Sequence, residues 1–110
     1  MRICAYVLMR GLTDQQVSLV SARARALGDP ARIRILDVLA RSEQPVGRIA
    51  ASLSSEPSTI SKHLQVLFHA GLVERRRSAS AIIYSIAAEH RIEWCRYLAA
   101  PRLPVRSHRG

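Results

Sequence analysis

The 110-residue sequence has few aromatic residues, few acidic residues and only two cysteines. Aromatic side chains make up 5% of the residues, so a packed core must consist mainly of aliphatic side chains. Two cysteines cannot build the disulfide framework that stabilises many small secreted domains. No apolar run approaches the roughly twenty residues that a membrane-spanning helix needs. These shortages argue against a disulfide-rich secreted protein and against an integral membrane protein.

The sequence also lacks the motifs of common catalytic sites. It contains no glycine-rich phosphate loop, no paired carboxylates and no nucleophile elbow. We therefore expect that the protein is not an enzyme. The apolar run near the N-terminus is short, Arg10 interrupts it, and no small-residue cleavage site follows. We expect a cytoplasmic protein with reduced thiols.

Basic residues clearly outnumber acidic ones. The sequence has 17 Lys and Arg residues against 8 Asp and Glu residues, which gives a formal net charge of +9. A surplus of this size in a small domain favours a polyanionic partner, nucleic acid first and a membrane surface second. Hydrophobic residues make up 48% of the sequence, which is enough for one packed domain.

Local signals predict the starts and ends of four helices between residues 13 and 71. Thr13 forms a capping box with Gln16, and this first helix should end near Leu27. Asp29 followed by Pro30 is a strong start signal for a second helix, which should end near Ser42. Gly47 and Ser55 are the predicted N-caps of a short third helix and of a fourth helix, which ends at Gly71 with a Schellman motif.

The apolar spacing within each helix predicts the side chains that become buried. We expect burial in the first three helices at Val17, Val20, Ala24, Leu27, Ile33, Leu36, Leu39, Ala40, Ile49, Ala50 and Leu53. The fourth helix has two contrasting faces. Its apolar face consists of Ile60, Leu64, Leu67 and Phe68. Its polar face consists of Ser58, Ser61, Lys62, Gln65 and His69, a set without an acid that suits a helix lying in a DNA major groove.

Beyond the fourth helix, the apolar period changes to that of strands. Leu72–Arg76 and Ile82–Ile86 are predicted to form a β-hairpin with a turn at Ser78–Ser80. A fifth helix is predicted over Ala88–Ala99. The fold prediction is thus mainly α with a small β-hairpin, in a single domain over residues 1–100. Residues 101–110 are predicted to form a basic flexible tail.

The segments from Ala26 to Ala87 resemble the ArsR/SmtB family of winged-helix repressors. The matching segments occur in the family's order and spacing: Ala26–Leu36, Ser58–Leu64, Leu67 with Ala70–Val73, and Tyr84–Ile86. The resemblance implies a winged helix-turn-helix homodimer with five helices plus a wing, whose first and last helices form the dimer interface. It also implies that the protein binds double-stranded operator DNA and is released when an inducer is sensed.

Chemistry and resemblance together give a set of candidate DNA-binding residues. Lys62 suits the acceptors of guanine and Gln65 suits the donor–acceptor pair of adenine, whereas His63 either reads bases or orients the helix. Serine and threonine near a helix N-terminus suit phosphate contacts. The set comprises Ser58, Thr59, Ser61, Lys62, His63 and Gln65 in the fourth helix, and Arg75, Arg76 and Arg77 in the wing.

The residues that would sense an inducer depart from the family's pattern. The third helix has no Cys-x-Cys, and the fifth helix, which reads Ala88-Glu89-His90, lacks the aspartate of the family's zinc-type site. Cys4 and Cys95 are the candidate thiol-sensing pair, for a thiophilic metal, a metalloid or an oxidant. The alternatives are that Cys95 is only a small buried side chain, or that the repressor is constitutive.

The sequence therefore predicts a sequence-specific, dimeric transcriptional repressor with no membrane partner. The alternative function is a small-molecule or metal sensor that acts through a protein partner, with an incidental basic surface.

Overall fold

The computed structural model describes residues 11–87 and 99–101. Within these ranges the chain forms four helices and three short antiparallel strands. In chain order the elements are α1 (Asp14–Ala26), α2 (Pro30–Arg41), β1 (Gln44–Pro45), α3 (Val46–Ser52), α4 (Pro57–His69), β2 (Val73–Ser78) and β3 (Ala81–Ile86). The sheet order is β1-β3-β2, so β3 lies in the middle. Among the described helices, none is long and apolar enough to cross a membrane.

The starts of α1 and α2 confirm the predicted caps. The Thr13 hydroxyl accepts a hydrogen bond from the backbone N–H of Gln16 at 3.0 Å, and the Gln16 side chain accepts one from the N–H of Thr13 at 2.9 Å. At α2, an Asp29 carboxylate oxygen accepts from the N–H of Ala31 at 2.8 Å. Pro30 takes the first helical position, where no hydrogen-bond donor is needed.

The predicted caps of α3 and α4 are wrong by one or two residues. The N-cap of α4 is Glu56 rather than Ser55, and its side chain makes no capping hydrogen bond. The reason is Pro57, which disfavours helical backbone in the residue before it, so Glu56 remains extended. The N-cap of α3 is Pro45 rather than Gly47, because Pro45 is already held extended by pairing with Ile83 of β3.

The core lies between α2, α3, α4 and the inner face of the sheet. Its fully buried side chains are aliphatic, as the scarcity of aromatic residues predicts. Those that are less than 2% exposed are Ile35, Ile49, Ile60, Leu64, Leu67 and Val73. Tyr84 of β3, which is 5% exposed, closes the core on the sheet side.

Burial in the first two helices differs from the prediction. Val17 and Val20 of α1 are 50% and 56% exposed, and Ala24 is also exposed, because only the C-terminal end of this helix enters the core of the chain, through Ala26. In α2 the buried side is rotated, so Ile35 and Val38 are buried together with Leu36 and Leu39. The predicted core residues Ile33 and Ala40 are exposed instead, and Leu27 and Leu53 are half-buried.

The end of α4 and the hairpin agree with the prediction. Gly71 has a φ of 77°, the N–H of Leu72 donates to the carbonyl of Leu67, and the N–H of Gly71 donates to that of Phe68, each at 2.9 Å. This is the predicted Schellman motif. Ser78 pairs with Ala81, so the turn of the hairpin contains only two residues, and the first of them, Ala79, has a positive φ of 56°.

Two predicted elements lie outside the described residues. The fifth helix was predicted over Ala88–Ala99, of which only Ala99 is described. The basic tail over 101–110 is described only at Pro101. Cys4 and Cys95, the candidate thiol-sensing pair, also lie outside the described ranges.

Candidate nucleic-acid interface

The two faces of α4 lie as the sequence predicts. Ile60, Leu64 and Leu67 are at most 1% exposed and attach the helix to the core. The opposite side is the polar face, which points to solvent. Ser58, Lys62, Gln65 and His69 of this face are exposed, and Ser61 is half-buried. The helix contains no acidic residue, so its outer surface offers hydrogen-bonding groups and one lysine charge without a carboxylate of its own.

The first turn of α4 suits an anion. The helix starts with Pro57, and neither its N-cap nor a side chain of its own first turn caps it. Ser58 and Thr59 are exposed in this turn, where the positive end of the helix dipole lies. Hydroxyl groups and backbone N–H groups at such a helix end can bind a phosphate oxygen.

His63 differs from the other candidate DNA-binding residues of α4 because its side chain points toward α2. Its ring is half-buried, and Nδ1 lies 3.3 Å from Nη1 of Arg32. The sequence left open whether His63 reads bases or orients the helix. The contact with Arg32 favours the orienting role. Arg32 is not among the residues predicted from the sequence, although its position in the Asp-Pro-x-Arg segment at the start of α2 is a usable signal.

The three wing arginines have three different environments. The Arg75 guanidinium lies over the ring of Phe68, with its central carbon 3.9 Å from the ring centroid. Nη2 of Arg76 lies 2.7 Å from a carboxylate oxygen of Glu43. Arg77 has no ion-pair partner among the described residues and is exposed. The sequence could not distinguish them, because Phe68 and Glu43 lie outside the wing, Phe68 in α4 and Glu43 in the loop before β1.

The pairing of Arg76 with Glu43 affects its titration but not its charge. The hydrogen bond that Arg76 donates to Glu43, together with the negative charge of that carboxylate, raises the pKa of Arg76 above its ordinary value. A guanidinium is charged at every physiological pH in any case. Because both side chains are about half exposed, the pair is screened by solvent and a phosphate can compete for Arg76.

A shallow cleft of about 410 Å³ separates α1 from α4 on the side of Arg32. Four small apolar side chains and four cationic or polar ones line it; the lining residues are Ala22, Arg25, Ala26, Arg32, Gln65, Val66, His69 and Ala70. Among residues 11–87 and 99–101, no group of three or more His, Cys, Asp or Glu side chains is arranged to hold a metal ion. The thiol-sensing hypothesis stays a prediction, since neither cysteine is described.

Comparisons with known proteins agree with this geometry. A family model described as "Bacterial regulatory protein, arsR family" matches residues 29–75, which run from the cap of α2 into the wing. The uncharacterized HTH-type transcriptional regulator Rv0081 of Mycobacterium tuberculosis is 46% identical over 65 residues, which are 58% of this chain and 57% of that protein. The biofilm growth-associated repressor of Agrobacterium fabrum is 34% identical over 69% of this chain and 65% of its own length.

A solved structure matches over a larger share of the chain. It is the solution structure of Mb0332 residues 1–100 from Mycobacterium bovis, described as a homodimeric winged helix-turn-helix DNA-binding domain. The TM-score is 0.69 at 34% identity, and the match covers 81% of this chain and 85% of that one. The chain spans between about a third and three fifths of the length of the curated relatives that match it first.

Proposed function

Because the chain belongs to the arsR family of bacterial regulatory proteins, we propose that it is a dimeric, sequence-specific DNA-binding repressor. The observation that supports this most strongly is α4, which is attached to the core by three fully buried aliphatic residues and presents an acid-free polar face to solvent. The relative from Agrobacterium fabrum is itself named a repressor. A repressor acts on chromosomal DNA, so we propose a cytoplasmic location.

In this proposal α4 enters the major groove. Lys62 donates to the guanine acceptors O6 and N7, and Gln65 pairs with the N6 and N7 edge of adenine. Ser58, Thr59 and Ser61 bind phosphate oxygens at the start of the helix, where the helix dipole also favours an anion. The first pair of residues gives sequence preference, and the second group fixes the position of the helix on the duplex.

The wing adds contacts that do not depend on sequence. Arg77 is the wing arginine that we expect to bind a phosphate or the minor groove directly, because it has no ion-pair partner in the described part of the chain. Arg75 stays over Phe68 and supports the wing against α4. Arg76 becomes available only where DNA displaces it from Glu43.

A second copy of the chain would cover the exposed side of α1. Leu12, just before the helix, and Val17, Leu19 and Val20 within it are between 44% and 56% exposed, which is unusual for four large apolar side chains within nine residues. The Mycobacterium bovis relative is described as homodimeric. A dimer would present two α4 helices to successive major grooves, one helical turn of about 34–36 Å apart.

The proposal is tested by selecting binding sites from random double-stranded DNA and then measuring affinities for the selected sequence. We expect wild-type protein to enrich a palindrome. Lys62→Ala and Gln65→Ala should each lose about 1–3 kcal/mol of specific binding and widen the base preference. Arg34→Ala removes a charge from the exposed side of α2 and is the matched control. If no sequence is enriched, the alternative of a sensor acting through a protein partner becomes the better one.

The wing is tested separately by salt dependence. Arg77→Ala should weaken binding to all sequences alike and reduce the salt slope by about 2, one phosphate contact in each protomer. Glu43→Gln should do the opposite and strengthen non-specific binding, because it frees Arg76 and removes a negative charge. Equal, large losses for Arg76→Ala and Arg77→Ala would contradict the distinction between the two arginines.

A further inference from the structure

One side chain of α2, Arg32, contacts the end of α1 and the middle of α4. Nε of Arg32 donates to the carbonyl of Ala26 at 2.6 Å, and Nη2 donates to the carbonyl of Arg25 at 3.2 Å. Both carbonyls belong to the last turn of α1, where the regular pattern of intrahelical hydrogen bonds ends. The Arg25 carbonyl also accepts from the N–H of Gly28 at 3.1 Å. A cation at a helix C-terminus is also favoured by the helix dipole. Arg32 therefore caps α1.

The remaining terminal nitrogen of Arg32 lies next to α4. Nη1 is 3.3 Å from Nδ1 of His63 and 3.8 Å from a carboxylate oxygen of Asp29, the N-cap of α2. A guanidinium donates hydrogen bonds and cannot accept them. The Nδ1 atom of His63 must then be the acceptor, which leaves its proton on Nε2. The contact thus selects one of the two neutral tautomers of the ring.

The geometry of this contact depends on arginine. The Arg32 side chain is 17% exposed, so its charge is mostly removed from water and is balanced by Asp29 and by the two carbonyls of α1. The planar guanidinium holds five N–H donors in a rigid fork, whereas the ammonium of lysine is a compact charge on a flexible stem. The rigid fork of Arg32 binds α1 and His63 at the same time, and we expect a lysine at this position to lose one of the two contacts.

We propose that Arg32 is a positioning residue for DNA recognition, acting through the Nε2–H tautomer of His63. Apolar packing of Ile60, Leu64 and Leu67 attaches α4 to the core but is not directional. The hydrogen bond from Arg32 is directional, and it fixes the rotation of α4 relative to the end of α1. That rotation determines how Lys62, the residue before His63, faces the groove. This inference rests on the proposed DNA-binding function.

The tautomer can be measured without DNA. In long-range ¹H–¹⁵N NMR spectra at mildly alkaline pH, we expect His63 of the wild-type protein to carry its proton on Nε2 with Nδ1 unprotonated. Arg32→Lys should give a mixture of tautomers, while Arg34→Met, the matched control on the exposed side of α2, should leave the ring unchanged. An Nδ1–H tautomer of His63 in the wild-type protein would overturn the proposal.

The second experiment measures DNA binding, as the ratio of the protein's affinity for the selected sequence to its affinity for a scrambled sequence. His63→Leu should lower this ratio by at least about tenfold, whereas His63→Gln should largely restore it, because the amide oxygen can accept from Arg32. Arg32→Lys should lower the ratio as much as His63→Leu does. If Arg32→Lys does not fold, the comparison of His63→Leu with His63→Gln still tests the proposal. Equal ratios for His63→Leu and wild type would overturn the proposal.

Failure of the proposed function gives a different result. If wild-type protein does not distinguish the two DNA sequences, the repressor function is wrong and the role of Arg32 in recognition is wrong with it. The tautomer of His63 would still be fixed in that case. If wild type discriminates but the ratio is indifferent to His63→Leu, only the positioning role of Arg32 is overturned.

Discussion

α1 and α4 are both 13 residues long, but the described chain buries them very differently. α4 buries Ile60, Leu64 and Leu67 and leaves a polar face in solvent. α1 buries only Ala26 and leaves most of its large apolar side chains exposed. A polar exposed face suits DNA, and an apolar exposed face suits another protein surface. Two helices of equal length can thus serve opposite kinds of partner.

The two helices are also held in place by different interactions. α1 has a complete capping box at its start, and near its end Nε of Arg23 donates to the carbonyl of Ala70 at 3.0 Å. α4 has no side-chain cap at its start and relies on burial along its length. The contact of Arg23 with Ala70 joins the end of α1 to the end of α4. Arg32 of α2 in addition links the end of α1 to His63 in the middle of α4. These contacts at its ends hold α1 in place, while the rest of the described chain leaves most of its surface exposed.

The largest effect is expected from a variant that removes the apolar surface of α1. The double variant Val17→Glu with Val20→Glu should weaken dimerisation by about 3–6 kcal/mol, because each valine is lost from both copies and a carboxylate must be desolvated. Sedimentation equilibrium measures the dimer constant. Ile82→Glu, at an exposed apolar position in the wing, is the control and should leave the dimer intact. A dimer that survives the double change would show that α1 is not its interface.

Replacing one leucine by alanine in each helix tests the difference in burial between α4 and α1. Leu64→Ala in α4 should lower the free energy of unfolding by about 2–5 kcal/mol, because Leu64 is fully buried. Leu19→Ala removes the same atoms from α1, where Leu19 is 44% exposed, and should cost much less at concentrations too low for dimerisation. Urea unfolding measures both variants. Equal losses would mean that α1 is buried within its own chain.

A smaller effect is expected where α4 ends beside Arg23. Gly71→Ala should cost about 1–2 kcal/mol, because the φ of 77° is strained for any residue with a Cβ. The added Cβ would also lie 3.2 Å from Nη2 of Arg23. Gly47→Ala is the matched control, since Gly47 lies in a helix with nothing within 4 Å of the added atom. Thermal unfolding should rank Gly71→Ala below wild type and Gly47→Ala at or above it.

The smallest effect concerns the helix starts. Thr13→Ala should lower stability by about 1 kcal/mol through loss of the capping box of α1. Thr59→Ala, in the uncapped first turn of α4, should change stability by less than about 0.5 kcal/mol. Hydrogen exchange at the first turn of each helix would detect the difference locally. A larger increase in exchange in α4 on Thr59→Ala than in α1 on Thr13→Ala would contradict the assigned roles of the caps.

Most local features could be predicted from the sequence, although the N-caps of α3 and α4 were not, and long-range contacts could not be predicted. The capping box at Thr13, the start at Asp29 and the glycine stop at Gly71 depend on neighbouring residues, and all three predictions are confirmed. The ion pair of Arg76 with Glu43 joins residues 33 positions apart, so no local sequence pattern predicts it. The same holds for Arg32 and His63, which are 31 positions apart.

Burial in α1 was mispredicted for a different reason. Helical periodicity shows that Val17 and Val20 lie on the apolar side of α1. It does not show whether that side is covered by the same chain or by another molecule. The exposed fractions of 50% and 56% supply the missing information. The error therefore points to the surface that we propose for the second copy.

Hydroxyl-radical footprinting on the selected DNA tests most directly whether α4 reads DNA while α1 holds two copies together. Wild-type protein should protect two windows whose centres lie about one helical turn, roughly 10 base pairs, apart. The Val17→Glu, Val20→Glu variant should lose this paired protection at the same concentration. A single protected window for wild-type protein, or paired windows that persist in the double variant, would contradict the account.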